Sequence, residues 1–219
     1  MDRDTHNRLK KILHDLDTVN YIKPGEIPQI DLYMDQVTTF MDRNLANTTR
    51  FKNEDKVLTK TMINNYAKND LLPPPIKKKY SKEHVLVLIL IYYFKNVLSI
   101  SDIQRILNPL TEKYFGSDGD LSIKEIYDEV ADLGDDYIDR LKEDVKAKYT
   151  ESTKCFKNVK DEDKEFLEVF SFICLLVFDI YTKKLIIEKM LDDYANRKSK
   201  AEETRSGKTS KSDKKKAEK

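Results

Sequence analysis

The chain has 219 residues, of which 36% are charged and 39% are apolar, so it has a large solvated surface relative to the core it can bury. It contains only five glycines, too few for a β-sandwich, a β-barrel or a dinucleotide-binding sheet, because the many tight turns of those folds need glycine. The formal net charge is +1, but residues 56–82 carry +6 and residues 111–151 carry −7, which makes residues 56–82 a candidate surface for an anionic partner.

The sequence predicts a cytoplasmic protein without a metal or cofactor. The first residues are polar and lack the apolar segment of a secretory signal. The longest apolar runs, residues 85–94 and 169–178, are shorter than the ~20 residues that a membrane-spanning helix needs. Cys155 and Cys174 are isolated, so they indicate neither a disulfide framework nor a zinc site.

Hydrophobic periodicity predicts three helices before residue 70. The first covers Asp4–Val19, the second follows Asp31 as its N-cap and runs to Leu45, and the third follows the N-cap Thr59 and runs to about Asn69. A polar loop, Ala46–Asp55, separates the second helix from the third.

An extended basic loop is predicted next. Pro73–Pro75 exclude a helix, and Lys77–Lys79 follow directly. Ser81 is the predicted N-cap of an apolar helix that runs to about Val97. A short helix from the cap Ser101 through Leu107 is expected to end at Pro109.

The second half is predicted to contain two long helices. Ser122-x-x-Glu125 is a capping box, and the apolar stripe to Val145 predicts about seven turns, weakened or bent at Gly134. The same capping box explains acids that resemble a calcium loop, whose glycine position holds Ile123. The last helix carries apolar residues at heptad spacing, at Phe166, Phe170, Ile173, Val177, Ile180, Ile187, Leu191 and Tyr194.

Residues 30–107 have the element order of a winged helix-turn-helix, in which one helix enters the major groove and a basic loop contacts phosphates. The residues expected at the DNA are polar or basic ones on the third helix and in the basic loop, together with two tyrosines that pack the domain or touch the DNA backbone. They are Lys60, Thr61, Asn64, Asn65, Tyr66, Lys68, Lys77, Lys78, Lys79 and Tyr80. Asparagine can pair with an adenine edge, and lysine with guanine or phosphate.

Three segments also resemble MerR-type regulators. Residues 58–72 resemble the recognition helix and its Leu-Leu exit, residues 78–85 the wing and the start of the next helix, and residues 98–103 the turn before the fourth helix. Asn64-Asn65-Tyr66 stands where MerR proteins usually have Arg-Tyr-Tyr. The whole pattern is more similar to an uncharacterised MerR-like family of low-GC Gram-positive bacteria.

The sequence therefore predicts an all-α fold, a MerR-like winged helix-turn-helix domain followed by long C-terminal helices. Its parts are an N-terminal helix and linker (1–27), the DNA-binding domain (28–108), a helical dimerisation or effector region (109–197) and a disordered basic tail (198–219). The predicted function is a dimeric, sequence-specific regulator that binds double-stranded DNA without catalysis, its effector being unidentified.

Two alternatives remain open at this point. The first is a helical adaptor that binds another protein, since helix-turn-helix folds also serve as docking modules. The second concerns the seam Phe166–Leu191, which is predicted to be a dimer contact but is also compatible with an intramolecular core. An enzyme is not expected, because the sequence has no phosphate-binding glycine motif and its three histidines are scattered.

Overall fold

The chain is predominantly helical in a computed structural model that describes residues 3–15, 22–50, 57–117, 119, 121–134 and 137–216. Side chains are described for the same residues except 3–6, 8, 15, 24, 161–162 and 198–216. The helices are α1 (Arg3–Asp15), α2 (Met34–Leu45), α3 (Lys60–Lys68), α4 (Lys82–Phe94), α5 (Ile100–Tyr114), α6 (Ile123–Asp132), α7 (Tyr137–Ser152) and α8 (Asp161–Lys216), and the strands are β1 (Leu32–Tyr33) and β2 (Lys79–Tyr80).

A main core extends from Ile22 to Ala131 and is centred on α4. Seven successive residues of α4, from Val85 to Ile91, include six that are fully buried, because the sequence there is apolar on every side of the helix. Burial of each such side chain contributes about 1.5–3 kcal/mol. This core fixes α2, α3, α5 and α6 around α4.

A smaller cluster joins α1, α7 and the first part of α8. Leu9 and Leu13 pack with Tyr149, and Val145 and Phe172 complete the cluster. The rings of Tyr149 and Phe172 meet edge to face at a centroid distance of 5.4 Å. The first helix predicted from the sequence is described from Arg3 to Asp15, and residues 16–19 of that prediction lie outside the described residues.

The chain divides into two compact units, Met1–Phe178 and Asp179–Lys219. In the second unit the backbone is helical as far as Lys216. The sequence predicts a disordered tail from residue 198, and the helix differs from that expectation. Lysine, glutamate and alanine are good helix formers, and no proline interrupts residues 198–216.

The second predicted helix begins later than expected. Asp31 does not cap it, because Leu32 and Tyr33 form β1 and pair antiparallel with Tyr80 and Lys79. The cap is Tyr33, whose backbone N–H donates to Gln36 Oε1 at 2.8 Å. Of the predicted loop 46–55, residues 46–48 form a 3₁₀ turn and residues 51–55 lie outside the described part of the chain.

The sequence predicts that the helix ends at Pro109, and this prediction is wrong. Helix α5 continues through Pro109 to Tyr114. Its cap is Ser99 rather than Ser101, and Ser99 Oγ accepts the N–H of Asp102 at 3.1 Å. A proline inside a helix costs about 3 kcal/mol. Apolar side chains on both sides of it, among them Leu107 and Leu110, pack against the main core and offset that cost.

The predicted seven-turn helix is two helices, α6 and α7. The capping box is confirmed, since the N–H of Ser122 donates to Glu125 Oε2 at 3.1 Å. Helix α6 ends at Asp132, and the N–H of Gly134 donates to the carbonyl of Ala131 at 2.9 Å. Glycine inside a helix costs about 1 kcal/mol relative to alanine, so the break falls there.

Candidate nucleic-acid interface

Helix α3 begins at a cap that the sequence predicts correctly. Thr59 Oγ1 accepts the backbone N–H of Met62 at 3.1 Å. Ile63 is fully buried, and Tyr66 is 9% exposed. These two side chains attach one face of α3 to the main core and leave its opposite face to solvent.

The solvent face of α3 brings together the polar residues that the sequence assigns to DNA. All five are exposed: Lys60, Thr61, Asn64, Asn65 and Lys68. The ammonium of Lys60 pairs with the carboxylate of Asp35 on α2. An ion pair this exposed contributes about 0–1 kcal/mol, so an anionic partner can replace Asp35 at little cost.

Tyr66 and Tyr80 do not lie on this face. Tyr80 is 2% exposed, both rings belong to the main core, and burial raises the pKa of both phenols. The sequence leaves two roles open for Tyr66 and Tyr80, packing of the domain or contact with the DNA backbone. Their burial supports packing. The assignment of these two tyrosines to the DNA contact set is therefore corrected.

The basic loop after the three prolines is a tight hairpin, which we call the lysine hairpin (residues 76–79). The N–H of Lys79 donates to the carbonyl of Ile76 at 2.9 Å, and the N–H of Ile76 donates back at 3.1 Å. The two residues between them, Lys77 and Lys78, have φ values of 51° and 64°. Two positive φ values in a two-residue turn define type I′, the turn that matches the twist of a hairpin.

Two of the three lysines occupy the tip, and the third does not. Lys77 and Lys78 are exposed, whereas Lys79 is half-buried in β2 and its ammonium lies 5.3 Å from the centroid of the Tyr33 ring. The sequence treats the three as one extended phosphate clamp. The hairpin separates them into two exposed cations at the tip and one cation against an aromatic ring.

Both ends of the lysine hairpin are connected to His84 of α4. His84 Nδ1 accepts the backbone N–H of Ser81 at 3.0 Å, which places the ring proton on Nε2, 3.3 Å from the carbonyl oxygen of Pro74. The imidazole also meets the rings of Tyr80 and Phe115 edge to face. Burial is the main cause that lowers the pKa of His84.

His84 is one of three scattered histidines in the sequence, and this structural role was not predicted. The sequence does contain a signal for this role, because Ser81-x-x-His84 has the spacing of a capping box with histidine in place of glutamate.

A second group of contacts fixes the start of α3. The N–H of Val57 donates to Asp42 Oδ1 at 3.2 Å, and Lys95 Nζ donates to the carbonyl of Val57 at 2.8 Å. Burial lowers the pKa of the Lys95 ammonium, which also lies 5.0 Å from the centroid of the Tyr92 ring. The roles of Asp42 and Lys95 were not predicted, because both residues are distant from Val57 in the sequence.

The end of α3 is fixed from α5. Gln104 Nε2 donates to the carbonyl of Asn69 at 2.7 Å. Asp70 follows with a positive φ of 54°, and the N–H groups of Leu71 and Leu72 both donate to the carbonyl of Tyr66. This left-handed exit turns the chain into the three prolines and buries both leucines.

The predicted seam on α8 lies at the surface of the chain. In the first unit Phe166, Phe170, Ile173 and Val177 are all more than half exposed. In the second unit Ile180 is 63% exposed, Ile187 is exposed and Leu191 is half-buried. These side chains therefore do not form an intramolecular core, the alternative that the sequence left open.

Residues 22–130 match the family model of DUF1836, a domain of unknown function. The matched segment agrees with the main core, whose outermost buried residues are Ile22 and Ala131. It thus includes α6, which the sequence-based boundary 28–108 leaves outside the domain. Neither a curated protein nor a solved structure matches the chain.

The described residues offer neither a membrane span nor a metal cluster. None of the helices there is long and apolar enough to cross a bilayer. Within the same part of the chain, no group of three or more His, Cys, Asp or Glu side chains is placed to hold a metal ion.

Proposed function

We propose that this protein is a sequence-specific DNA-binding transcriptional regulator, a MerR-like winged helix-turn-helix that acts as a dimer and without catalysis. One observation carries the proposal: Lys77 and Lys78 stand at positive φ at the exposed tip of a type I′ hairpin. In this assignment the lysine hairpin is the wing, and α3 is the recognition helix.

Lys77 and Lys78 have a backbone conformation that is unfavourable for lysine, and this supports a functional role for the tip. Residues other than glycine cost about 1–2 kcal/mol each in the left-handed region, and Asn-Gly forms a type I′ turn without most of that cost. Strain of this kind concentrates at functional sites. The turn fixes the backbone of the two lysines at the tip, so binding to phosphate oxygens orders their side chains but not their backbone.

The solvent face of α3 supplies the groups for base reading. Asn64 and Asn65 carry amides that can pair with the N6 and N7 atoms of adenine, and Lys60 and Lys68 carry ammonium groups for guanine or phosphate. The order of strand, two helices, hairpin and two further helices is the one expected for a MerR-like domain. The Thr59 and Asp70 turns hold α3 rigidly at its two ends.

Dimerisation through α8 completes the proposal. The exposed apolar side chains Phe166, Phe170, Ile173 and Val177 are the kind of surface that a second copy of the helix covers. A two-fold dimer then places two α3 helices on two half-sites of a palindromic operator.

The test is selection of bound duplexes from a random DNA pool at about 0.15 M salt, a concentration that leaves mainly specific contacts to compete. The intact protein is compared with Lys77→Glu, Lys78→Glu. The matched control is Lys10→Glu, Lys11→Glu, which reverses two adjacent exposed lysines on α1. We expect the intact protein and the control to enrich one symmetric site, and the hairpin variant to enrich none.

A protein-binding adaptor is the second candidate, and the exposed face of α8 favours it. If the protein is an adaptor, the variant Lys77→Glu, Lys78→Glu should still bind the partner protein, whereas Phe170→Glu should abolish that binding. The absence of any enriched duplex from folded intact protein would support this candidate and contradict the first.

A further inference from the structure

We propose that a cavity between the exit of α3 and the last turns of α5 binds a small organic cation, an amidinium, guanidinium or ammonium group on a compact apolar body. We call it the α5 cavity and define it by its lining residues, 70, 72–74, 108, 111–112 and 115. The proposal goes beyond the proposed function and does not depend on it, because it rests on the chemistry of this lining alone.

One wall of the α5 cavity is a single face of α5. Asn108, Thr111, Glu112 and Phe115 follow one another at intervals of three, one and three residues, which places them on the same side of a helix. This wall exists because α5 continues through Pro109. The sequence-based expectation that the helix ends there therefore gives no sign of the cavity.

The opposite wall is the segment that follows α3. Asp70 has a positive φ of 54°, and the turn that it makes leads into Leu72, Pro73 and Pro74, which line the cavity with apolar surface. The volume of the cavity is about 280 Å³. Pockets for drug-sized ligands have volumes of roughly 300–1,000 Å³, so this one suits a smaller molecule.

The side-chain polar groups of this lining favour a cationic hydrogen-bond donor. Asp70 and Glu112 contribute exposed carboxylates, and neither forms an ion pair with another described residue. Thr111 Oγ1 donates its proton to the carbonyl of Leu107 at 3.0 Å, so its oxygen can only accept from a ligand. None of the described residues that line the cavity is a lysine, an arginine or a histidine. A positive group with several N–H donors is complementary to this arrangement.

Asn108 supplies an observation that is independent of the two carboxylates. Its Oδ1 atom is buried and has no hydrogen-bond partner within the part of the chain that the structure describes. A buried acceptor without a partner is costly, and native chains contain few of them. Because the terminal torsion of asparagine turns over a broad range, an N–H donor in the cavity can satisfy this atom.

A metal ion is the competing occupant for a pair of carboxylates. Calcium and magnesium require six or more oxygen ligands, and no described group of three or more His, Cys, Asp or Glu side chains is placed to hold a metal. The apolar surfaces of Leu72, Pro73 and Phe115 contribute nothing to a hydrated ion. They can cover the apolar body of an organic cation, and the Phe115 ring also attracts its charge.

The first experiment titrates three molecules of the same size and shape into the full chain by calorimetry. Benzamidine is the cation, benzamide the neutral analogue and benzoate the anion. We expect benzamidine to bind with a Kd of about 1 mM, as is typical of so small a ligand, and benzamide to bind about tenfold more weakly. Benzoate should show no binding, and calcium and magnesium chloride should not displace benzamidine.

The second experiment removes the charges. Asp70→Asn, Glu112→Gln keeps the shape of both side chains, and asparagine tolerates the positive φ at position 70. We expect this variant to bind benzamidine about tenfold more weakly and benzamide as before. The matched control is Glu129→Gln, Asp132→Asn, which removes the same charge from the exposed surface of α6 and should leave both affinities unchanged.

The third experiment tests Asn108. Asn108→Leu removes the acceptor without a partner and keeps the size of the side chain. We expect it to weaken benzamidine binding about threefold and to leave the midpoint of urea unfolding equal or higher, because the apolar side chain leaves no polar atom unpaired. A purely structural asparagine would not separate affinity from stability in this way. In NMR spectra, benzamidine should shift the amide signals of residues 70–72 and 108–115.

The outcomes decide the proposal without any measurement on DNA. Equal affinities for benzamidine and benzamide overturn it, as does benzamidine binding that Asp70→Asn, Glu112→Gln leaves unchanged. A folded chain that does not bind benzamidine at ten times the expected Kd also overturns it. Displacement of benzamidine by calcium assigns the two carboxylates to a metal ion instead. None of these results bears on the proposed DNA-binding function, so the two proposals fail separately.

Discussion

The Nε2 atom of His84 lies 3.3 Å from the carbonyl oxygen of Pro74, so a buried side chain of α4 holds the segment that leads into the lysine hairpin. The same ring accepts the N–H of Ser81, the residue that follows the hairpin strand β2. One neutral imidazole thus connects both ends of the hairpin to the main core. Its protonation removes the Nδ1 acceptor and places a charge among aromatic rings.

Stability should therefore fall in mild acid. Burial lowers the pKa of His84 below its ordinary 6.5, so the unfolded chain binds more protons than the folded one once the pH drops below that value. We expect a loss of up to about 1.4 kcal/mol per pH unit below 6.5, until the pH reaches the folded-state pKa. Urea unfolding from pH 7.5 to 5 measures it.

The neutral variant His84→Gln separates this effect from titration elsewhere. The difference in unfolding free energy between the intact protein and His84→Gln should shrink as the pH falls through this window. A difference that stays constant from pH 7.5 to 5 contradicts the assignment.

Replacement of the hairpin tip by Lys77→Asn, Lys78→Gly should stabilise the fold and weaken DNA binding together. Asparagine and glycine adopt the two positive φ values at lower cost, so the free energy of unfolding should rise by about 1–2 kcal/mol. The loss of two ammonium groups should lower the affinity for a duplex. Chemical unfolding and a binding titration on the same preparations measure both effects.

The double variant Lys77→Ala, Lys78→Ala is the control for that trade-off, because it removes the charges but keeps the strained backbone. It should weaken DNA binding equally and give no gain in stability. If the Asn-Gly variant is no more stable than the intact protein, then strain at the tip is not a property of the folded chain.

Thr59→Ala should destabilise the domain by about 1 kcal/mol, because Thr59 Oγ1 caps the N–H of Met62. Since α3 begins at this cap, fraying of its first turn should also lower duplex affinity. Thr61→Ala removes a hydroxyl from the exposed face of the same helix and should leave the unfolding free energy within about 0.5 kcal/mol of the original. Equal losses for the two variants would contradict the capping role.

Lys95→Met should destabilise the domain by about 1–3 kcal/mol, because the carbonyl of Val57 loses its partner in a buried position. Asp42→Ala removes the acceptor of the Val57 N–H and should have a similar effect. The two changes act on one residue, so their combined cost should be less than the sum of the single costs in a double-mutant cycle of urea unfolding. Full additivity would show that the two contacts are independent.

Phe170→Glu should convert a dimer into monomers, because it places a charge on the exposed apolar face of α8. Sedimentation equilibrium at micromolar concentration measures the change. Lys189→Glu, at an exposed position of the second unit away from the seam spacing, is the control and should leave the mass unchanged. An intact protein that sediments as a monomer would contradict the dimer proposal.

Much of the helical framework followed from the sequence alone. Thr59 and the box Ser122-x-x-Glu125 identified helix starts, because a cap depends only on the next three residues. The apolar run 85–91 identified the centre of the core, since side chains this apolar are stable only away from water. The solvent face of α3 was also predictable from periodicity, and its five polar residues are exposed as expected.

The tertiary structure decided what lies far apart in the chain. Strand β1 has two residues, too few for a periodic signal, and exists because Leu32 and Tyr33 pair with Tyr80 and Lys79. The same pairing turns a basic loop into a hairpin, leaves Ile76 exposed and places Lys79 over Tyr33. Local preferences fix a helix within a few residues, whereas strand pairing and the position of a buried histidine depend on the packing of the whole core, and no short segment of sequence encodes that packing.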